Sequence, residues 1–269
     1  MDRHDLTDME WNAIRKYLPA ERPRRPGRTW CSHRKVINGI LWILAAGAPW
    51  RDLPERYENW STVYKRFVRW RKSGIWDRIY MNVLRNLDRE LDIDDSLWCV
   101  DGTIIRAHRS AAGSRSSEAT EPTNHALGRS QGGFSTKIHM LTSGQGIPLA
   151  FVLTPGQAHE SKSLESLFDE QLLAKTRKPK ALAGDKAYSS NKIRTKLLSR
   201  GVKDVIPTRS TEKRRANFQK ATYRKRNIVE RVFGWLKENR RIATRYEKQA
   251  NNYLAFLKIA STRMLLNWN

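Results

Sequence analysis

The stretch from Tyr223 to Lys237, "YRKRNIVERVFGWLK", carries five Arg or Lys side chains and one carboxylate, Glu230. A lone acid in a run of positive charge has two readings. It is one half of an i,i+4 surface pair with Arg226, worth roughly 0.3–0.5 kcal/mol, or it has chemistry to do. Two further acids sit at informative places. Asp101 interrupts the apolar segment "LWCVDGTII", where a carboxylate is disfavoured unless it is paired or binds a metal. Asp185 ends a second apolar segment in "ALAGDKAY". Each also has a plain structural reading: a turn at Asp101-Gly102, a cap for the helix that begins near Ser189, and the surface pair at Glu230.

Taken together, a strand acid, a strand-end acid and a helix acid can converge at one end of a sheet. Three carboxylates beside strong positive charge suit two Mg²⁺ ions about 3.5–4 Å apart, which clamp the attacking and leaving oxygens of a phosphodiester. On a helix advancing about 100° per residue, Tyr223, Arg226, Glu230 and Lys237 fall within a sector roughly 60° wide. That face presents a phenol, a guanidinium, a carboxylate and an ammonium, flanked by the apolar Val229, Val232, Phe233 and Leu236.

The elements that must position these groups follow from pattern. Residues 7–89 read as helical: "LTDMEWNAIRKYLP" opens with a capping box, Thr7 and Glu10, and "SHRKVINGILWILAAGAPW" closes at Gly47. A third helix follows, with Ser61 as N-cap and Gly74 as stop, and places Arg66 among its outward basic residues. A fourth runs from Ile75 to Leu91. "ERPRRPGR" is a basic, Pro-rich linker. After Asp95 the period changes to that of strands: "SLWCVDGTIIRAHR", then a hairpin of "FSTKIHMLTS" and "IPLAFVLTPG". Between strand and hairpin lies a Ser/Gly-rich loop. Helix and strand then alternate through "AHESKSLESLFDEQLL", "KPKALAGDKAY", "SNKIRTKLLSRG" and "VKDVIPTR". Two helices end the series, Tyr223 to Arg241 and Asn252 to Asn267. This order predicts an α/β fold with a mixed sheet flanked by helices, preceded by a helical region.

Charge narrows the partner. The net charge is +24, from 51 basic and 27 acidic residues, while 39% hydrophobic content and ten Trp exclude a disordered chain. Such an excess points to a polyanion, nucleic acid first and an anionic membrane surface second. The longest apolar run, Ile37 to Ala48, is too short to span a bilayer, and the N-terminus lacks the apolar core of a signal peptide. Cys31 and Cys99, far apart and without a CxxC partner, fit a reducing compartment rather than a disulfide framework or zinc finger. A cytoplasmic protein that handles nucleic acid is the expectation.

The spacing Tyr223-x2-Arg226-x3-Glu230-x6-Lys237 resembles the Y-x2-R-x3-E-x6-K signature of bacterial insertion-sequence transposases of the DDE type. "VDGTIIRAHRSAAG" and "AGDKAYSS" resemble the segments that carry that family's first and second aspartates. With "GAPWRDLPERYENWSTVYKRFVRW", the whole chain is similar to the insertion-sequence family-five group. The resemblance implies a ribonuclease H-like catalytic domain over 93–269 after a helical DNA-binding domain over 1–92. It implies Asp101, Asp185 and Glu230 as ligands of two Mg²⁺ ions, with Mn²⁺ as a substitute. Tyr223, Arg226 and Lys237, joined by Arg224, Lys225 and Arg231, would contact DNA. The implied partner is double-stranded DNA, both the element's terminal inverted repeats and the target, held by a homodimer in the bacterial nucleoid. The implied reaction is cleavage at the element's ends and joining of the freed 3′-hydroxyl to target DNA. A DNA-binding regulator without chemistry, or a nuclease that only hydrolyses, are the alternatives.

Other features keep two readings. His139, alternating with apolar residues, reads as a packed or edge-strand residue, and His108 and His159 have no stronger claim to a metal. Trp50, Trp60, Trp70 and Trp76 read as core anchors, or in part as surfaces for unstacked bases. The helix in "ENWSTVYKRFVRWRKSG" suits DNA recognition or simply an amphipathic helix with a basic outer face. "RSTEKRRANFQKATYRKR" reads as a phosphate-binding loop or a solvated one.

Overall fold

The computed structural model describes residues 3–21, 31–114, 118–160, 163–170, 177–212 and 218–268. The Pro-rich linker lies largely outside these residues, as do parts of the Ser/Gly-rich loop and of the basic stretch before Tyr223. Four helices come first. In α1 (Asp8–Arg15) the Thr7 hydroxyl accepts from the Glu10 amide while the Glu10 carboxylate accepts from the Thr7 amide, the reciprocal cap its sequence predicts. Helix α2 (His33–Ala46) is capped by Ser32 and ends at Gly47, whose φ of +68° continues the chain in the left-handed region.

Helix α3 (Trp60–Lys72) differs from expectation in two ways. Its cap is Asn59, whose Oδ1 accepts from the Ser61 amide at 2.9 Å, so the helix starts ahead of Ser61. Arg66 points inward and is buried: it donates to Nδ1 of His33 at 2.9 Å and lies over the Trp70 ring. Its aliphatic stem packs like an apolar residue while ring nitrogen and ring face receive the charge. Helix α4 (Ile75–Leu91) follows directly. Trp70 and Trp76 are buried as core anchors, whereas Trp50 and Trp60 are only partly covered.

The sheet is built from β1 (Trp98–Ala107), β2 (Gly128–Ser130), β3 (Gly133–Ser143), β4 (Pro148–Pro155), β5 (Ala181–Gly184) and β6 (Lys203–Val205), with α5 (Leu164–Glu170) and α6 (Asn191–Ser199) between the later strands. Its main order is β4-β3-β1-β5-β6; β4, β3 and β1 are antiparallel neighbours, and β1, β5 and β6 run parallel. That order, with the first long strand central and the antiparallel hairpin on one side of it, is the ribonuclease H-like sheet. Trp98, Cys99 and Val100 are fully buried, as expected of a central strand covered on both faces.

The basic segment predicted as one helix is three: α7 (Lys220–Arg224), α8 (Asn227–Lys237) and α9 (Arg240–Ala243). The first break is a tightened turn, in which the amides of Lys225, Arg226 and Ile228 each bond three residues back, to Thr222, Tyr223 and Lys225. Strand β7 (Thr244–Arg245) then pairs with the far end of β1. The long α10 (Ala250–Leu266) returns to pack on α4, with further contacts to α1, α2 and α3. Arg71 donates to Asn252, Lys258 pairs with Asp77, and Asn267 donates to Glu10 at 2.9 Å. The helical layer is thus assembled from both ends of the described chain.

Candidate active site

Register brings the two aspartates together. Asp101 lies within β1 opposite Met140 of β3, and Val100 pairs with Gly184, the last residue of β5. Asp185 follows at once, at the end of the strand beside Asp101. The Asp185 side chain accepts from the Ala187 amide at 2.9 Å, capping the short turn 186–188, while Ser190 caps α6. Asp101 stays in the strand: its Oδ1 accepts from the Gly102 amide at 2.8 Å. Burial pushes the Asp101 carboxyl above the usual carboxylate range and the charge of Asp185 adds to it, while Arg226 and the Gly102 amide act in the opposite direction.

Helix α8 supplies the third acid across a cation. Arg226 donates from Nη1 to Asp101 Oδ2 at 2.7 Å and from Nη2 to Glu230 Oε1 at 2.6 Å. The i,i+4 pair is therefore formed, but it is no ordinary surface pair, because its arginine is mostly buried and also holds a strand carboxylate 125 residues away. Burial works against the guanidinium charge; Asp101, Tyr223 and Glu230 outweigh it and hold the charge firmly in place. Among the described residues, no three His, Cys, Asp or Glu side chains are gathered closely enough to hold a metal ion. Arg226 stands between two of the three acids, Asp101 and Glu230.

The remaining predicted contacts surround this pair. Tyr223 is half-buried against Phe218, with the Arg226 guanidinium over its ring. Lys237 donates to Thr103 Oγ1 at 2.7 Å, two residues along β1 from Asp101, and burial lowers its pKa. Arg224, Lys225 and Arg231 are exposed. The donor set fits a hard divalent cation, being carboxylate oxygen only, and positive charge already occupies the space between Asp101 and Glu230.

One cluster beside the site was not singled out by sequence reasoning. Lys137 donates to Glu160 Oε1 and to the Ala158 carbonyl, both at 2.7 Å. His139 is fully buried, shares a 2.8 Å hydrogen bond with Thr154, and is held neutral by burial, its pKa pushed down to about 4. Its ring and the Glu160 side chain both approach Gly102. The signal was present: Lys137 and His139 are two ionisable residues at i,i+2 in one strand, on either side of the apolar Ile138, so both face one side. His139 is packed and not on an edge, since β3 has β1 on one side and β4 on the other.

Residues 92–265, which include all three acids, match the family described as "Transposase DDE domain". The chain belongs to that family. Residues 6–80 match a second one, "Putative transposase of IS4/5 family". Among curated proteins, the chain is 38% identical to "Uncharacterized protein y4sN" of Sinorhizobium fredii over 43% of its own length and 86% of that protein. It is 31% identical to a "Putative transposase for insertion sequence element IS402" of Burkholderia cepacia, over 50% of its length and 63% of that protein. A solved Mos1 transposase paired-end complex is similar at a TM-score of 0.28 and 11% identity, covering 82% of each chain. Members of the DDE family act with divalent metal ions. No described helix is long and apolar enough to cross a membrane.

Proposed function

We propose that this chain is a DNA transposase that cuts at the ends of its element and joins the freed 3′-hydroxyl to target DNA. The observation that supports this reading most is the meeting of Asp101, at the centre of β1, with Asp185 at the adjacent strand end and with Glu230 across Arg226. Asp101, Asp185 and Glu230 are the residues that would hold two divalent ions, Mg²⁺ or Mn²⁺. When bound, such ions supply Lewis-acid activation of the attacking and leaving oxygens.

The chain's own groups have separate tasks. Arg226 and Lys237 offer positive charge to the phosphate beside the acids, and Tyr223 offers a hydroxyl there. Arg224, Lys225 and Arg231, exposed around α7 and α8, hold the flanking backbone. Two substitutions at phosphorus complete the reaction: water displaces the element's 3′-oxygen, and that 3′-hydroxyl then displaces a 3′-oxygen in the target. Neither needs a covalent protein intermediate. Pairing two element ends calls for a homodimer assembled on DNA.

The test uses a duplex that carries the terminal inverted repeat read from DNA flanking the gene. Asp185→Asn and Glu230→Gln are expected to bind it nearly as wild type and to lose Mg²⁺-dependent cleavage. Full strand transfer by either variant would remove these residues from the chemistry.

A further inference from the structure

Gly234 lies one helical turn beyond Glu230, inside α8 and on its exposed side. Glycine weakens a helix interior relative to alanine, because its backbone loses more freedom on folding. Nothing within the described protein calls for it. The backbone there is helical, and a Cβ added at Gly234 would meet no atom within 4 Å. Its neighbour Trp235 is 43% exposed, one of few large apolar side chains left open to water. Among the described residues, no hydrogen bond or ring contact engages this indole.

Helical spacing arranges the surroundings. Measured around the axis from Glu230, Lys237 lies about 20° to one side; on the other lie Gly234 at about 40°, Glu238 at about 80°, Arg231 at about 100° and Trp235 at about 140°. A strip of uncovered backbone therefore runs on from Glu230, with Lys237 and Arg231 as its flanking cations and Glu238 the only further acid. An anionic strand suits that strip better than a protein surface does, given the +24 charge of the chain.

The geometry points to Gly234 and Trp235 as DNA-positioning residues. The missing side chain lets the sugar–phosphate backbone next to the cleaved bond lie directly against α8. The indole supports the adjoining sugar and base edge. This rests on the transposase reading above, and the two are separable by experiment.

The full chain is tested with the same terminal-repeat duplex by fluorescence anisotropy at fixed salt, by Mg²⁺-dependent cleavage and by thermal unfolding. Gly234→Ala and Gly234→Leu are expected to melt at or above the wild-type temperature yet bind the duplex more weakly, the leucine variant by about tenfold or more. Trp235→Ala is expected to lose about tenfold in affinity and Trp235→Phe to recover most of it. Wild-type affinity and cleavage in both Gly234→Leu and Trp235→Ala would overturn this inference alone. So would a lower melting temperature for Gly234→Ala, which would make the glycine a requirement of the fold. A wild-type protein that neither binds nor cuts the duplex would instead remove the underlying reading.

Discussion

Arg226 stands between Asp101 and Glu230, and its two short hydrogen bonds define what its removal does. In Arg226→Gln, Asp101 remains largely buried with its main counter-charge gone, whereas Glu230 turns to water. Discounted for the exposure of Glu230, the loss is expected to be about 1–2 kcal/mol in metal-free protein. If these carboxylates hold a divalent ion as proposed, millimolar Mg²⁺ should restore part of it, because the ion would answer the same two carboxylates. Urea titrations of wild type and variant with and without Mg²⁺ check this, and an equal deficit in both conditions would count against it. The same substitution should weaken DNA binding.

Two elements carry predictions of their own. Gly47 ends α2 at φ +68°, and a Cβ there would come within 2.9 Å of the Arg240 Cβ at the start of α9. Gly47→Ala therefore meets both a disfavoured dihedral and a backbone-proximal clash, and is expected to cost about 1–3 kcal/mol in chemical denaturation. In β3, His139 has its pKa lowered to about 4, from an unfolded value near 6.5. The unfolded chain then binds the extra proton first, so stability is full above about pH 6.5, falls as the pH drops toward about 4, and is flat below. The integrated loss is about 3 kcal/mol, and His139→Gln should flatten that part of the curve. Such elements were largely legible beforehand, since capping at Thr7, the stop at Gly47 and the β-branched run around Asp101 are local signals. What could not be read depends on tertiary contact. Arg66 turns inward because His33 and Trp70 wait there, and the breaks around α8 come from a turn that no Pro or Gly announces. The three acids were visible as types, but their meeting required the register of β1 and β5, and the guanidinium between two of them required the packing of α8 on β1.

At the scale of the molecule, the excess of 51 basic over 27 acidic residues predicts how DNA is held. If Arg224, Lys225, Arg226, Arg231 and Lys237 each neutralise a phosphate, the log–log dependence of affinity on salt should have a slope of about −4.5 or steeper. A slope near zero would mean that the positive charge lies elsewhere. The packing of α10 on α4 bears on how the protein is made. The first four helices leave the ribosome well before residues 250–266, and until those arrive the sides of α3 and α4 that face α10 lack their partner, although α1, α2, α3 and α4 already touch one another. A nascent chain must wait, partly open, through synthesis of the entire sheet. Cleavage of ribosome-bound chains by a dilute protease should therefore fall sharply only once α10 has emerged. The site on β1 and α8 would then become available together with the finished protein, and not before it.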